Sequence, residues 1–490
     1  MSAITLGLDI GTTGVKGIAL DLEGGLLAQV SQSNELHSPH AGWAEADPAQ
    51  WIENSHSVLA ALAAHPEVNA ARVVGIATTG MVPAVVALDA SGAPLRRAIL
   101  QNDARATAEV AEVAARLDEH DVIALTGSPV TQQSVGPTAL WLARHEPETW
   151  AACHVLVGSY DFVAMALGAR PHVERNWAIE SGLFDLEGAP FAPAIAAAGL
   201  DSRLAPVAAP GEVVGELSAA AAGATGLPAG IPIVVGGADH VLSAVGAGLS
   251  KRGDWLVKLG GAGDILAVST DPITDARFYL DDHPVDGLWL PNGCMATSGS
   301  LVRWVQGVLR ETDLAALDAE ADQRGAAEVL CLPYFLGEKS PLNDPSLRGV
   351  FAGMHLGHDR FDLYRAALEG IAFGFRHNAD VLADRGIELT SATVTNGGAT
   401  SLFWKRIHAS VLGTPLRTVQ QHPGASLAAA VAAAIGVGAL DDWSAIERFV
   451  IPGDTVDPEP ALVERYDEAY ALWRELSDVT ATTMRALARR

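Results

Sequence analysis

A pattern of strand, glycine-rich turn and returning strand occurs twice in this sequence, about 250 residues apart. The first copy covers residues 4–21 and turns at Gly11-Thr12-Thr13-Gly14, and the second covers residues 254–271 and turns at Gly260-Gly261-Ala262-Gly263. Both copies contain an apolar run that is typical of a buried strand, and both end on an aspartate. The spacing is far longer than the repeat of a solenoid, so it predicts two similarly built α/β domains. The alternative is that a common type of hairpin occurs twice by chance.

The length of the chain agrees with two domains. It has 490 residues, and 49% of them are apolar, which is enough for a large core. At roughly 100–200 residues per domain, this length favours two or more domains. No low-complexity linker separates the halves, so we expect a tight hinge near residues 245–253. The sequence therefore predicts an N-terminal domain at 1–248, with the first hairpin, and a C-terminal domain at 249–490, with the second.

Acidic residues outnumber basic ones. Asp and Glu total 58 and Lys and Arg total 32, which gives a formal net charge of −26. Proteins that bind nucleic acid or anionic membranes carry a basic face, so we expect neither partner. The three cysteines are widely spaced without a CxxC pair, and the first residues lack a signal-peptide pattern. These features predict a reduced, cytoplasmic protein without a disulfide framework or a zinc site.

The first glycine-rich turn carries groups that could hold a phosphate. Glycines let backbone N–H groups approach phosphate oxygens, while the threonine hydroxyls and Lys16 would add donors and a cation. Asp9, which precedes the turn, could hold Mg²⁺ directly or through water. The common nucleotide fingerprints GxxxxGKS/T and GxGxxG are missing from the sequence. The alternative interpretation is an ordinary hairpin with an aspartate at a strand end.

Asp239 follows an apolar strand that ends in Gly236-Gly237. A carboxylate at a strand end could accept the proton of a hydroxyl group as a general base. The alternative is that Asp239 is the N-cap of the helical segment that follows, which is a common role of aspartate.

Two further segments have both a binding and a structural interpretation. Asn102, Asp103 and Arg105 offer an amide, a carboxylate and a guanidinium that suit a polyhydroxylated ligand, or they form the start of a helix. Gly397-Gly398-Ala399 follows a strand and would let a flat ring such as adenine lie against the backbone, or it is a simple strand-to-helix turn.

Together these segments resemble the FGGY family of carbohydrate kinases, which belongs to the actin, hexokinase and heat-shock ATPase superfamily. The most specific match is Gly349-Val-Phe351-Ala-Gly353-Met354, followed after seven residues by Asp362-Leu363-Tyr-Arg-Ala366-Ala367-Leu368-Glu369. The resemblance implies an α/β fold of two ribonuclease-H-like domains, of the actin/hexokinase type, with a catalytic cleft between them. It also implies an enzyme that phosphorylates a terminal hydroxyl of a small ketose with ATP and Mg²⁺.

The resemblance assigns a role to each segment. Asp239 would be the base that deprotonates the sugar hydroxyl, and with Asp9 it would hold Mg²⁺. The residues that border the phosphates would be Gly11, Thr12, Thr13, Lys16, Gly260 and Gly261. The adenosine would contact Gly299, Gly397, Gly398, Ala399 and Ser401. The sugar pocket would contain Met81, Asn102, Asp103, Arg105, Trp177 and Asp239.

The sequence departs from xylulose kinases at two positions of the predicted sugar pocket. Gly80-Met81-Val82 stands where these enzymes usually carry Gln-Met-His, and Gln101 stands where they usually have Trp. A pentulose such as xylulose is the expected substrate, and ribulose or a shorter polyol such as erythritol or glycerol is the alternative. A non-enzymatic sugar sensor and an ATPase clamp are alternatives from another class. The expected partners are the sugar and ATP, and a homodimer is one possible assembly.

Overall fold

The computed structural model of the protein describes residues 2–118, 120–200 and 203–488. The strands of the first half are β1 (Ile4–Gly11), β2 (Gly14–Asp21), β3 (Gly25–Ser33), β4 (Glu45–Ala46), β5 (Val73–Gly80), β6 (Val86–Leu88), β7 (Ala98–Ile99), β8 (Val155–Val157), β9 (Val173–Glu174), β10 (Val207–Ala208), β11 (Val213–Glu216) and β12 (Pro232–Ala238). The helices of the first half are α1 (Pro48–Ala63), α2 (Thr107–Arg116), α3 (Val122–Thr126), α4 (Val135–His145), α5 (Pro147–Ala152), α6 (Ser159–Leu167), α7 (Arg175–Glu180), α8 (Ala192–Ala197), α9 (Ala219–Thr225) and α10 (Asp239–Gly246).

The second half contains the remaining elements. Its strands are β13 (Asp254–Leu259), β14 (Gly263–Ala267), β15 (Tyr279–Asp282), β16 (Trp289–Met295), β17 (Leu330–Leu332), β18 (Val350–Ala352), β19 (Ser391–Thr395), β20 (Leu416–Gln420) and β21 (Ile451–Val456). Its helices are α11 (Gly299–Leu309), α12 (Leu314–Asp322), α13 (Arg360–Asp384), α14 (Leu402–Leu412), α15 (Ala425–Gly436) and α16 (Pro460–Ala488). Short 3₁₀ helices lie at Ala70–Arg72, Gly397–Thr400 and Trp443–Arg448.

The first sheet is built around the N-terminal hairpin. Its strand order is β11-β12-β5-β1-β2-β3. β1 is antiparallel to β2 and parallel to β5, and β5 is parallel to β12. The apolar run of β1 is buried on both faces, because Leu6 and Leu8 on one side and Thr5 on the other are all covered. A central parallel strand is expected to be buried in this way, and this explains the unbroken apolar sequence of β1.

The second sheet repeats this topology. Its order is β15-β16-β14-β13-β19-β20-β21. β13 is antiparallel to β14 and parallel to β19, and β19 is parallel to β20. The order β16-β14-β13-β19-β20-β21 therefore has the same succession of antiparallel and parallel pairs as the order β3-β2-β1-β5-β12-β11 in the first sheet. The sequence repeat is a repeat of a six-stranded sheet, which confirms the predicted pair of similarly built α/β domains.

Each compact unit contains three separate stretches of the chain. Unit 1 consists of Met1–Ser250, Leu280–Trp289 and His422–Val450, and unit 2 consists of Lys251–Tyr279, Leu290–Gln421 and Ile451–Arg490. These units do not follow the single division at 248/249 that the sequence suggested, because α15 packs on the first sheet.

The sequence of α15 explains this packing. The helix consists almost entirely of alanine and other small residues, and nearly all of it is buried. A Cβ atom on Gly7 would lie 2.0 Å from the carbonyl oxygen of Ser426, so the backbones of β1 and α15 are in direct contact. Only glycine on the strand and small residues on the helix permit such a close approach.

The core of unit 2 is centred on α13. Asp359 and Asp362 form a capping box at its start, as the helix N-terminus favours. Inside it, Arg365 Nε lies 2.7 Å from Glu369 Oε1, and both side chains are buried. Before α13 in the chain, β18 pairs antiparallel with β17. Among the described residues, every helix is too short or too polar to cross a lipid bilayer.

Candidate active site

Three parallel strands of unit 1 end at one edge of the first sheet, where predicted site residues are found. β1 contains Asp9 near its end, and β12 ends directly before Asp239. In the sheet register Ile10 is opposite Gly80, and Gly80 is opposite Ala238. Asp9 precedes and Asp239 follows these paired positions by one residue each. With neighbouring strands about 4.8 Å apart and a rise of about 3.3 Å per residue, the backbones at Asp9 and Asp239 are separated by about 12 Å. Ligands of open α/β sheets bind outside the carboxyl ends of the strands, which is this edge.

The turn of the first hairpin is fixed by a residue that the sequence analysis missed. The side-chain amide of Asn34 donates to the carbonyl oxygen of Gly11 at 2.8 Å, and its backbone N–H donates to that of Thr13 at 3.0 Å. A Cβ atom on Gly14 would lie 2.5 Å from the carbonyl oxygen of Gln32, so the turn also packs closely on β3. The carbonyl groups of the turn are therefore held against the protein. Hydrogen bonds over this distance in sequence leave no local pattern that would have identified Asn34.

The exposed groups of this hairpin suit an anionic ligand. Thr13 and Lys16 are exposed, and Lys16 is the cross-strand partner of Asp9. Thr12 Oγ1 lies 3.7 Å from Met81 Sδ, and the Gln101 side-chain amide donates to Thr12 Oγ1 at 3.4 Å. The structure therefore brings Met81 and Gln101 to the same turn as the predicted phosphate-binding threonines.

Asp239 is the first residue of α10, and the cap position is held by Ala238, whose side chain makes no capping hydrogen bond. The alternative interpretation of Asp239 as the N-cap is therefore wrong. A carboxylate in the first turn of a helix is stabilised by the helix dipole. The side chain of Asp239 is 36% exposed, so its oxygens are accessible to a ligand.

His240, the next residue, lies among three carboxyl groups. Its Nε2 is 2.7 Å from Asp281 Oδ2 and 3.8 Å from Glu180 Oε1, and its Nδ1 is 3.6 Å from Asp239 Oδ1. Burial alone would lower the pKa of His240, but the charge of Asp281 and the hydrogen bonds to the carboxylates raise this pKa well above its usual range. Burial, together with the charge of Asp281, raises the pKa of the Glu180 carboxyl. His240 therefore lies within ion-pair distance of Asp239, a contact that no sequence pattern indicates.

Of the predicted sugar-pocket residues, Asp103 and Arg105 bind each other. Arg105 Nε donates to Asp103 Oδ1 at 2.9 Å, and the second oxygen of Asp103 accepts the backbone N–H of Ala44 at 2.6 Å. The Arg105 guanidinium also pairs with Glu45 at 2.8 Å and lies 3.7 Å from the centre of the Trp43 ring. The side chains of Asp103 and Arg105 are buried, and their mutual contacts stabilise the loop from which Asn102 is exposed.

Trp177 does not lie on a ligand-accessible surface. Its exposed fraction is 0%, and its indole N–H donates to the carbonyl oxygen of Ala84 at 2.8 Å. A Cβ atom on Gly158 would lie 2.8 Å from the ring, so the indole is in tight contact with the backbone. The prediction that Trp177 lines the sugar pocket is corrected here, because the side chain offers no exposed atom.

The second glycine-rich turn, in unit 2, is joined to the start of α11. The carbonyl oxygen of Gly260 accepts the N–H of Gly299 at 2.8 Å, and that of Gly261 accepts the N–H groups of Ser298 and Ser300 at 2.9 and 3.0 Å. A Cβ atom on Gly299 would lie 2.7 Å from the Gly260 oxygen. Gly299 is thus required where the helix meets the turn. Arg303, which follows on the exposed side of α11, has a guanidinium nitrogen 3.3 Å from the Cβ position of Gly261.

The remaining predicted adenosine residues differ in what they contact. Nothing lies within 4 Å of a Cβ atom on Gly397, whereas one on Gly398 would lie 2.2 Å from the Trp404 ring. Gly397 therefore has an open surface, and Gly398 packs inward. Ser401 is the N-cap of α14, and its hydroxyl donates to Asp318 Oδ2 at 2.6 Å. Ala399 is partly buried beside them.

The two hairpins carry opposite charges at matching places. In the first, the acid Asp9 is on the leading strand and Lys16 is on the returning strand. In the second, Lys258 is on the leading strand and Asp264 is on the returning strand, with Lys258 Nζ 3.0 Å from Asp264 Oδ2. The acid that could hold a cation thus occurs on the leading strand of the first hairpin alone.

Comparison with known proteins decides which family this arrangement represents. Residues 4–246 match the N-terminal domain of the FGGY family of carbohydrate kinases, and residues 262–437 match its C-terminal domain. The chain belongs to the FGGY family of carbohydrate kinases. It is therefore an ATP-dependent sugar kinase, and this assignment favours an enzyme over the sensor and the ATPase clamp.

Individual members of the FGGY family resemble the chain over nearly its whole length. The xylulose kinase of Staphylococcus epidermidis is 28% identical over 98% of both chains. The xylulose kinase of Escherichia coli is 30% identical over 84% of this chain and 85% of its own. The crystal structure of xylulose kinase from Rhodospirillum rubrum has a TM-score of 0.90 and 42% identity, and the match covers 98% of this chain and 99% of that one.

Proposed function

We propose that this sugar kinase transfers the γ-phosphate of Mg-ATP to a terminal hydroxyl of a pentulose of the xylulose type, with Asp239 as the general base. The three relatives described above are all xylulose kinases. The observation that carries the proposal is the position of Asp239. Its carboxylate is exposed at the start of α10, at the same sheet edge as Asp9 and the first glycine-rich turn.

The proposed chemistry needs few protein groups. Phosphoryl transfer depends mainly on positioning and on neutralising charge, with the attacking and leaving oxygens in line. Asp239 would accept the proton of the sugar hydroxyl as that oxygen attacks phosphorus. In unit 1, the turn at Gly11, Thr12 and Thr13, with Lys16, would contact phosphate oxygens. In unit 2, Gly260 and Gly261 would do the same, and the open backbone at Gly397 would accept adenosine.

Asp9 and Asp239 would hold the Mg²⁺ of the donor. Carboxylate oxygens are the ligands that this ion prefers, so the donor set fits. Mg²⁺ usually keeps several waters, and a separation of about 12 Å between the two backbones suits binding through such waters. When bound, the ion would neutralise phosphate charge in a protein whose net charge is −26.

For the identity of the sugar, the structure also supports a second candidate. Val82 is nearly fully buried, and Gln101 donates to Thr12 beside Met81. The amide of Gln101 thus replaces the ring that xylulose kinases usually place there, which makes the pocket more polar. Ribulose or a shorter polyol such as erythritol or glycerol is therefore the second candidate. An ADP-release screen against ketopentoses, tetroses and polyols distinguishes them, because a pentulose should give the highest kcat/KM.

The base assignment is tested by Asp239→Ala. We expect the variant to fold but to lose nearly all turnover, because general-base catalysis contributes about 10²–10⁴-fold. Glu148→Ala is the matched control, since Glu148 is an exposed acid in the first turn of α5. Turnover above roughly a tenth of wild type in Asp239→Ala would refute the assignment.

A further inference from the structure

A short stretch from the second half of the sequence contributes to the surroundings of Asp239. Residues Leu280–Trp289 belong to unit 1. Asp281, which is 1% exposed, places Oδ2 2.7 Å from His240 Nε2. The other ring nitrogen of His240 lies 3.6 Å from Asp239 Oδ1. A chain of three groups therefore runs from the buried Asp281 through His240 to Asp239.

The position of Asp281 is fixed by its neighbours. The side-chain oxygen of Asn176 accepts the backbone N–H of Asp282 at 2.7 Å, and its NH₂ group donates to the carbonyl oxygen of Asp282 at 3.0 Å. Arg175 Nε lies 2.8 Å from Asp282 Oδ2. Asn176 is itself fully buried at the start of α7. These contacts hold the strand end rigidly, so Asp281 presents its carboxylate to His240 in one orientation.

The hydrogen positions on His240 follow from what each nitrogen faces. An ionised carboxylate only accepts hydrogen bonds, so Nε2 carries a hydrogen directed at Asp281. Nδ1 faces the carboxylate of Asp239 at 3.6 Å, within ion-pair distance. The ligand atoms of Glu180, His240 and Asp281 lie within 4.8 Å of one another, a spacing that could also hold a metal ion. The short contact to Asp281 occupies Nε2 with a hydrogen instead.

We propose that His240, anchored by Asp281, is a positioning residue that holds the carboxylate of Asp239 in the orientation needed to accept the proton of the sugar hydroxyl. This inference rests on the proposed role of Asp239 as the base. An exposed aspartate at a helix start would otherwise sample several rotamers. A misplacement of about 1 Å at a reacting group can cost about 10²-fold in rate.

The experiment compares kcat and KM in His240→Gln and Asp281→Asn, with rates normalised to the fraction of protein that binds ATP. We expect kcat to fall by about 10- to 100-fold in both variants, while KM for sugar and for ATP stays within about twofold. A merely structural role would instead lower the ATP-binding fraction or change KM. Asp286→Asn is the matched control, because the same change five residues later removes an exposed carboxylate of the same segment. Its kcat should stay within about twofold of wild type.

A double variant separates this inference from the base assignment. If His240 acts through Asp239, Asp239→Ala and Asp239→Ala/His240→Gln should have the same residual rate. A kcat in His240→Gln and Asp281→Asn within about twofold of wild type, or an equal loss in Asp286→Asn, would overturn the positioning role while leaving Asp239 as the base. Turnover retained by Asp239→Ala would instead overturn the base assignment itself.

Discussion

The junction of the second glycine-rich turn with α11 allows a quantitative prediction for Gly299→Ala. The added methyl group would lie 2.7 Å from the carbonyl oxygen of Gly260, whereas ordinary contact begins at 3.4 Å. The turn or the helix must therefore move by up to about 0.7 Å. Three hydrogen bonds of 2.8 to 3.0 Å cross this junction, from Ser298, Gly299 and Ser300 to the turn. Each of these hydrogen bonds contributes about 1 kcal/mol. The movement forced by the methyl group must either lengthen them or strain the surrounding backbone.

We expect this change to weaken ATP binding specifically. Overpacking of a tight contact costs about 1–3 kcal/mol, which corresponds to roughly a 5- to 150-fold loss of affinity if the cost falls on the bound state. The Kd for Mg-ATP, measured by calorimetry, should rise within this range. The KM for the sugar should not change, because the predicted sugar residues lie in unit 1 and Gly299 in unit 2.

Gly307→Ala is the matched control for Gly299→Ala. Gly307 lies in the same helix, and nothing is found within 4 Å of an added Cβ atom. Alanine is favoured over glycine inside a helix by roughly 0.5–1 kcal/mol, so this variant should have a slightly higher Tm and an unchanged Kd. An unchanged Kd in Gly299→Ala, or an equal loss in Gly307→Ala, would refute the argument that the turn and the helix form one phosphate-binding unit.

Three other predictions follow from the structure. Trp177→Phe should lower the free energy of unfolding in urea by about 1–3 kcal/mol and leave the sugar KM unchanged, since the indole is a core group; a raised KM without loss of stability would contradict this. Burial raises the pKa of Glu338 to about 8, above its ordinary value of 4.5. Because the folded state then binds the extra proton, stability should fall as pH rises from about 4.5 to 8, and Glu338→Gln should flatten Tm over that range; parallel Tm profiles for the two proteins would refute it. ATP binding should depend strongly on Mg²⁺, and equal Kd values with and without the ion would exclude the proposed role of Asp9 and Asp239.

Sequence patterns identified the elements that are specified by residues close together in the chain. The glycine turns and the apolar strands β1 and β13 were predicted because a few neighbouring residues specify each of them. Contacts between distant residues could not be predicted in the same way. Asp281 meets His240 over 41 positions. Neither residue lies in a pattern that indicates the other, and the same is true of Asn34 and its turn.

The orientation of individual side chains could not be predicted from the sequence either. Trp177 follows the polar residues Arg175 and Asn176. Its burial and the packing of Gly158 against its ring show that it points into the core. Ser401 and Asp103 have the right chemistry for a ligand, yet their oxygens are used by a helix start and by Arg105. Residue type indicated which groups were polar, and the fold determined what each of them binds.

The late position of α15 in the chain affects the order in which this protein can fold as it is synthesised. Residues 1–248 contain the strands of the first sheet, but the helix that covers β1, β5 and β12 arrives only at residues 425–436. At about 5–20 residues per second, the ribosome needs roughly 10–40 s to add the intervening segment. During that time the face of the sheet around Gly7 has no cover, so a fragment that stops at 248 should be retained by chaperones. Unit 1, which contains Asp239, is thus completed only after α15 has been synthesised.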